Sequence, residues 1–192
     1  MILIFFGPPG AGKGTQANLI SKHYNLPHLS TGDILRSKIS DKDYLSKKLK
    51  DIMEKGQLVS DEITNEIVCN RIEKIDCKNG FILDGYPRTM VQALFLNDLL
   101  KSKKLEIDKI INIELEEKII IERIISRSAI ERRQDDKSEV IKTRIKKYQK
   151  EKQLLSDFYF KKMSSNYAVI NGNQKIEKIN ADIMKIIKNA NI

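Results

Sequence analysis

A lysine-bearing, glycine-rich turn is the part of this sequence with the clearest chemistry. It reads Gly7-Pro8-Pro9-Gly10-Ala11-Gly12-Lys13-Gly14-Thr15 and directly follows the apolar run 2–6. A turn of this kind between a strand and a helix aims successive backbone N–H groups into one concavity, at the positive end of the helix dipole. Those groups and the Lys13 ammonium favour an anion that carries several phosphates. The turn therefore predicts a polyphosphate site.

The turn departs by one residue from the phosphate-loop pattern G-x-x-x-x-G-K-[ST]. Gly14 occupies the position of the first hydroxyl, and the hydroxyl comes one residue later, on Thr15. In the usual motif the first hydroxyl ligates Mg²⁺ directly. We therefore expect the metal to be held another way, through water. A strand–helix turn without a ligand is the alternative, which three glycines, two prolines and a lysine within residues 7–13 disfavour.

A second polar position, Asp84, ends the apolar run 80–84 and is followed by Gly85-Tyr86-Pro87-Arg88. Phosphate-loop enzymes use an acidic residue at the end of a strand to organise Mg²⁺. Many strands end in aspartate, so this assignment depends on the glycine-rich turn being present. Pro87 stiffens the segment, and Arg88 is expected near the same edge of the sheet, although a solvent-exposed turn arginine is the alternative.

Arginines are concentrated around residue 130 in a chain that otherwise uses lysine. Arg123 and Arg127 are four residues apart, which places them on one face of a helix. The segment Arg132-Arg133-Gln134-Asp135-Asp136 follows, and then Arg144. Guanidinium groups can bind phosphate oxygens in a bidentate way, and the two aspartates could hold them in place by ion pairing. A solvated charged loop remains the alternative for any single arginine.

Five short apolar runs alternate with helical stretches along the chain. Strands are predicted at 2–6, 27–30, 80–84, 109–114 and 166–170, and helices at 13–24, 31–39, 41–55, 61–75, 89–100, 116–126, 137–163 and 175–188. This alternation predicts an α/β fold with a parallel sheet that is covered by helices on both faces. Ligands of such sheets bind beyond the carboxyl ends of the strands. The glycine-rich turn and Asp84 should therefore share one site.

Composition sets wide limits. The 192 residues suffice for one α/β domain. The net charge of +9 and pI of about 9.4 leave three explanations open: nucleic acid, anionic nucleotides, or a lysine-rich solvated surface. No apolar run approaches the ~18 residues that span a membrane, and run 2–6 is read as a core strand, not a signal peptide. Cys69 and Cys77 are expected to be reduced structural thiols.

Four segments together resemble the adenylate kinases of the nucleoside monophosphate kinase family: Gly7–Thr15 with Gln16, Leu29–Arg36, Gly80–Arg88 and Arg133–Asp136. The resemblance implies a five-stranded parallel sheet of the P-loop NTPase type and the reaction ATP + AMP ⇌ 2 ADP with Mg²⁺. It also implies a core of residues 1–29, 60–125 and 137–192, a mobile AMP-binding flap at 30–59 and a lid at 126–136. This lid is short and lacks cysteine, so it resembles the type without zinc.

Matching positions give each residue an implied role. ATP is expected at Gly10, Ala11, Gly12, Lys13, Gly14, Thr15, Arg123, Arg127 and, through its backbone, Gln174. AMP is expected at Thr31, Arg36, Gln57, Leu58, Val59, Gly85, Tyr86, Pro87, Arg88, Gln92, Arg133 and Arg144. Positive charge for the transferring phosphoryl group should come from Lys13, Arg88, Arg127, Arg133 and Arg144. Asp84 should hold Mg²⁺ through water.

Three departures from the family pattern are visible. Tyr86 replaces a more common phenylalanine, a change expected to matter little. Gln57 and Gln174 stand where relatives often carry lysine, which leaves the roles of those two side chains open.

His23 and His28 are interpreted as structural or surface residues, because an AMP phosphate is already a nucleophile at neutral pH and no general base is needed.

Alternative functions come from inside and outside this family. A UMP/CMP kinase is the nearest, but Thr31 and Gln92 match the adenylate pattern, whereas pyrimidine-specific relatives tend to carry alanine and asparagine there. A GTP-dependent switch should contain Asn-Lys-x-Asp, which this sequence lacks, and a nucleic-acid-dependent ATPase should be larger. We expect a cytoplasmic monomer whose partners are ATP, AMP and ADP, with no specific nucleic acid and no membrane.

Overall fold

Five parallel strands form one sheet at the centre of the molecule. The structure, a computed structural model, describes residues 1–39, 44–131, 136 and 138–189. The strands are β1 (Ile2–Phe6), β2 (His28–Ser30), β3 (Phe81–Asp84), β4 (Lys109–Glu114) and β5 (Tyr167–Asn171). They pair in the order β2-β3-β1-β4-β5, and each pair is parallel. The predicted five-stranded parallel sheet of an α/β fold is confirmed.

Helices connect the strands. Within the described ranges they are α1 (Lys13–Tyr24), α2 (Thr31–Ile39), α3 (Tyr44–Glu54), α4 (Asp61–Ile72), α5 (Met90–Ser102), α6 (Glu117–Glu131), α7 (Ser138–Met163) and α8 (Ile176–Lys188). Short 3-10 turns occur at Ile75–Cys77 and Ser164–Asn166. Among the helices described, none is both long enough and apolar enough to cross a membrane. Both cysteines are free thiols.

Two helices end three or more residues away from the predicted C-terminus. Helix α6 was expected to end at residue 126 but continues to Glu131. Residues 127–131 contain no glycine or proline, so nothing in the local sequence stops the helix. Helix α4 was expected to reach residue 75 but ends at Ile72, and the chain then tightens into the 3-10 turn. The first difference matters for function, because it carries α6 into the predicted lid.

Apolar side chains cover both faces of the sheet, and β1 shows the alternation most clearly. Ile2 and Ile4 belong to a cluster with residues of α5 and α7, whereas Leu3 and Phe5 belong to a cluster with residues of α1 and α8. Successive side chains of a strand point to opposite faces, so β1 is buried on both. In the first cluster the Tyr159 ring of α7 packs against Phe6, with ring centroids 5.3 Å apart.

Two smaller clusters lie apart from the sheet. One consists of Leu35, Leu49, Val59 and Ile67, from α2, α3, α4 and the segment before α4. The other joins α6 to α7 through Ile120, Ile124, Ile141 and Ile145. Residues 30–59 and the α6–α7 pair therefore each have an apolar cluster that is separate from the core of the sheet.

Candidate active site

The glycine-rich turn joins β1 to α1 and passes close to β4. Gly7 has a φ of 141°, and a Cβ atom there would lie 2.4 Å from the carbonyl oxygen of Ile113. Because that oxygen belongs to the backbone of β4, it cannot move aside, and only glycine fits. The turn is thus held against the strand that neighbours β1, with the N-terminus of α1 at its open side.

The Lys13 side chain folds back over this turn. Its Nζ donates hydrogen bonds to the carbonyl oxygens of Gly7 at 2.8 Å and Pro8 at 2.7 Å. Burial lowers the pKa of Lys13 from 10.5 to about 8, although the Asp84 carboxylate acts in the opposite direction. The nearby guanidinium groups of Arg88, Arg144 and Arg127 lower it as well. Lys13 is therefore a cation at neutral pH. Because three guanidinium groups lie nearby, an anion in the cleft would stabilise its charge.

The lowered pKa of Lys13 predicts how kcat/KM for ATP depends on pH. We expect kcat/KM for ATP to stay level up to about pH 8 and then to fall about ten-fold per pH unit, because kcat/KM reports ionisation of the free enzyme. Deprotonation of Lys13 does not destabilise the folded protein, so unfolding through this group would not explain the fall in kcat/KM. Between about pH 8 and 10.5 the unfolded chain binds more protons at Lys13, so this group stabilises the fold as pH rises. A level profile to pH 10 would contradict the assignment.

Asp84 lies at the end of β3 and faces the turn. Its Oδ2 atom is 3.2 Å from Nε2 of His28, and the carboxylate is almost fully buried. Burial works to raise the pKa of Asp84, but the His28 hydrogen bond and the charge of Lys13 outweigh it, so the net shift is downward. Asp84 is therefore an anion at neutral pH.

The missing hydroxyl at position 14 has a structural explanation. A Cβ atom on Gly14 would lie 3.3 Å from Oδ2 of Asp84, closer than side chains normally approach. A serine or threonine here would press against the carboxylate that the sequence assigned to the metal. Glycine leaves that space open beside Asp84.

The donor set at Asp84 fits Mg²⁺. Among the residues that the structure describes, no group of three or more His, Cys, Asp or Glu side chains is arranged to hold a metal ion. Mg²⁺ keeps several waters and is commonly bound by one or two carboxylates together with substrate phosphates. The ionised carboxylate of Asp84, next to the glycine-rich turn, meets that requirement.

The ends of β2 and β3 meet at Gly85. The Thr31 hydroxyl donates to the Gly85 carbonyl oxygen at 2.9 Å, and Arg88 Nε donates to the same oxygen at 2.7 Å. Further along α2, Nη2 of Arg36 lies 2.5 Å from Oδ1 of Asp33. Strand pairing places Ser30 opposite Asp84, which brings these two chain segments together.

Gln92, on α5, is held by protein groups on both sides of its amide. Its Oε1 accepts from the backbone N–H of Arg88 at 2.7 Å, and its Nε2 donates to Oδ1 of Asp61 at 2.8 Å. Asp61 also accepts from the Thr89 hydroxyl at 3.0 Å, and Thr89 caps the N-terminus of α5. Gln92 is only 2% exposed, yet it lines the same cleft as Lys13.

Tyr86 does not line the cleft. The side chain is fully buried, and its hydroxyl donates to Oδ1 of Asn65 on α4 at 2.6 Å. The sequence had placed Tyr86 in contact with AMP and expected its hydroxyl to change little. The structure instead puts the ring behind the 84–88 turn, where the hydroxyl ties that turn to α4. Direct contact with a ligand at this position would be through neighbouring backbone.

Two arginines from different helices share one carboxylate. Arg127, on α6, donates through Nε at 2.7 Å and Nη2 at 2.5 Å to Asp136, and Arg144, on α7, donates through Nη1 at 2.8 Å. The Asp136 side chain is fully buried. Asp136 therefore holds the two guanidinium groups together, as the sequence suggested. Arg133 and Asp135 lie outside the described residues.

Arg123 occupies a different position at the edge of the site. Its Nη2 donates to the carbonyl oxygen of Gly172 at 2.9 Å, in the loop after β5. The Gln174 side chain folds back in the same loop and donates to the Asn171 carbonyl oxygen at 2.8 Å. Gln174 lines the cleft from this loop.

A single cleft of about 890 Å³ connects these groups. Of the residues predicted for the two nucleotides and the metal, it is lined by Gly10, Ala11, Gly12, Lys13, Gly14, Thr15, Thr31, Arg36, Gln57, Leu58, Val59, Asp84, Gly85, Pro87, Arg88, Gln92, Arg123, Arg127, Arg144 and Gln174. Sequence reasoning missed His28, Asn112 and Tyr148, which also line it. Only knowledge of which strands and helices are neighbours could have identified those three.

Comparison with known proteins agrees with this geometry. The family model described as adenylate kinase matches residues 5–164. A protein named adenylate kinase from Brucella melitensis biotype 1 is 42% identical over 193 residues, which covers 97% of this chain and 98% of that protein. Those from Brucella ovis and Brucella canis are each 43% identical, with the same coverage. The chain belongs to the adenylate kinase family.

Proposed function

We propose that the chain catalyses ATP + AMP ⇌ 2 ADP. The observation that carries this proposal is that one cleft is lined both by Lys13 with the glycine-rich turn and by Thr31, Arg88 and Gln92. One half suits a polyphosphate donor, and the other offers cationic and amide groups for a second nucleotide. A cleft that holds donor and acceptor together converts phosphoryl transfer into an effectively unimolecular step.

The chemistry we assign to the residues is charge stabilisation and positioning. Residues 10–15 cradle the ATP phosphates, with Arg123 and the Gln174 backbone at the adenine. Lys13, Arg88, Arg127, Arg133 and Arg144 place positive charge around the equatorial oxygens of the transferring group. The remaining residues predicted for AMP, including Thr31, Arg36 and 57–59, orient its phosphate and base. An AMP phosphate oxygen attacks directly, so no residue has to remove a proton.

We further propose that Asp84 holds Mg²⁺ through water. Its ionised carboxylate and the space beside Gly14 support this assignment. Mg²⁺ bound with ATP supplies neutralising charge to the phosphates. We propose no zinc site, because the short segment 126–136 contains no cysteine.

We propose that residues 30–59 act as a flap and 126–136 as a lid over a core of residues 1–29, 60–125 and 137–192. Leu35, Leu49 and Val59 of the flap pack with one another and with Ile67 of α4, apart from the core of the sheet, which supports motion of the flap as a unit. Closure would exclude water, which otherwise competes with AMP for the phosphoryl group. Because α6 reaches Glu131, the lid begins as a helix. We also propose that the enzyme works in the cytoplasm as a monomer.

A panel of acceptor nucleotides tests the proposed reaction. With MgATP as donor, we expect kcat/KM for AMP to exceed that for UMP or CMP by at least about 10²-fold, because a site with polar groups placed for one base leaves them unpaired with another. A coupled assay for ADP measures each rate. A preference for UMP would make the chain a UMP/CMP kinase, and no transfer to any monophosphate would reject both activities.

A further inference from the structure

The Gln92 amide lies between two groups of opposite hydrogen-bonding chemistry. The backbone N–H of Arg88 can only donate, and it meets Oε1 at 2.7 Å. On the other side, Oδ1 of Asp61 accepts from Nε2 at 2.8 Å. Rotating the amide by 180° would bring donor against donor and acceptor against acceptor. At a position only 2% exposed, water cannot replace the two lost hydrogen bonds, so one orientation is strongly preferred.

The fixed amide still has hydrogen-bonding capacity. An amide oxygen accepts two hydrogen bonds and an amide nitrogen donates two. Arg88 and Asp61 use one of each, which leaves a second acceptor site on Oε1 and a second donor on Nε2. Adenine offers a complementary pair, because its 6-amino group donates and the adjacent ring nitrogen N1 accepts.

We propose that Asp61 is a positioning residue that makes the acceptor site selective for 6-aminopurines over 6-oxopurines. The inference rests on the proposed function, in which Gln92 faces the acceptor base. Hypoxanthine has nearly the same shape as adenine, but its 6-oxo group accepts and its N1–H donates. An unrestrained glutamine could pair with either base by rotating its amide. Asp61 removes that freedom, and the base with the reversed pattern is rejected.

Asp61 is itself well placed for this role. It is partly buried at the first position of α4, and the same Oδ1 atom accepts from both Gln92 and the hydroxyl of Thr89. Thr89 caps α5, the helix that carries Gln92. The carboxylate is therefore held against the base-recognising amide by two contacts to one helix, without facing the transferring phosphate.

The test compares AMP with IMP in Asp61→Asn and in a matched control, Glu62→Gln. Glu62 is the exposed neighbour in the first turn of α4, so the control removes the same charge from the same helix end. An asparagine can donate or accept and therefore tolerates both orientations of the Gln92 amide.

In the wild-type enzyme we expect kcat/KM to favour AMP over IMP by at least about 10³-fold. Asp61→Asn should lower that ratio about ten-fold, since the Arg88 N–H still favours one orientation. Glu62→Gln should leave it unchanged.

Each outcome separates this inference from the proposed function. A wild-type enzyme that fails to use AMP rejects the proposed function, whereas one that uses AMP and IMP equally well rejects only the role of Asp61. A folded Asp61→Asn variant with the wild-type AMP-to-IMP ratio also rejects that role, even if both rates fall. If Asp61→Asn does not fold, Asp61→Ser replaces it, because a hydroxyl can likewise donate or accept. A folded Asp61→Ser variant with an unchanged ratio would overturn the inference.

Discussion

Replacing Lys13 with methionine is expected to lower kcat by at least about 10³-fold, the scale on which one cation at a transferring phosphoryl group acts. Methionine matches the length of much of the side chain but brings no charge to the phosphates. The Lys13 ammonium lies at the glycine-rich turn, where it donates hydrogen bonds to the Gly7 and Pro8 carbonyl oxygens. The measurement is initial rates with saturating ATP and AMP.

The same variant should keep its fold. The pKa of Lys13 is lowered because burial and three nearby arginines disfavour its charged form by more than Asp84 favours it, so removing the charge should cost the fold little. We expect Tm to change by no more than about 4 °C, roughly 1 kcal/mol for a chain of this size. Lys22→Met, at an exposed position in the last turn of the same helix, is the control and should retain full activity. Retention of more than about a tenth of wild-type kcat by Lys13→Met would refute the assigned role.

Arg144→Met is expected to lower kcat by about 10³-fold, again by loss of charge at the transferring group. The guanidinium of Arg144 donates to Asp136, whose buried carboxylate also binds Arg127. Because Arg127 keeps its two hydrogen bonds to Asp136, the carboxylate is not left unpaired and the site should remain assembled. Steady-state rates at varied AMP and ATP separate an effect on kcat from one on KM.

The control for Arg144 lies two residues further along α7. Lys146 is an exposed cation on the same helix, so Lys146→Met changes the net charge equally but should leave kcat within about two-fold. If Arg144→Met raised KM for AMP while kcat stayed at the wild-type value, Arg144 would bind ground state and transition state equally. The proposed action on the transferring phosphoryl group would then be wrong.

Local sequence patterns predicted most of the fold. Strand β4 was predicted at its observed limits, because an apolar run in a sheet buried on both faces is short and sharply bounded. The end of α6 was wrong, because residues 127–131 carry neither a stop signal nor an apolar periodicity that would mark their helix. The order of the strands was not predicted, since it depends on pairings between segments far apart in the chain.

In the site too, residues that are adjacent in the sequence were recognised, whereas contacts between distant segments were not. The glycine-rich turn and the 84–88 segment were recognisable because their chemistry is contained in adjacent residues. His28 was assigned to structure or surface, and it is the pairing of β2 with β3 that brings its ring to Asp84. Asp61 was predicted only at the start of a helix and not as part of the site, because its partners Thr89 and Gln92 are about thirty residues away. Tyr86 lies beside recognised residues, yet its side chain turns into the core.

Because α7 is long, a small tilt of the helix changes the position of Arg144 considerably. The helix is held near one end by Tyr159, packed on Phe6 beneath the sheet, and it carries Arg144 toward the other. At 1.5 Å rise per residue these two side chains are separated by about 22 Å along the axis, so a tilt of about 5° at the Tyr159 pivot displaces Arg144 by about 2 Å. That displacement is enough to break a hydrogen bond to phosphate. Alignment of Arg144 thus depends on how Tyr159 packs against Phe6.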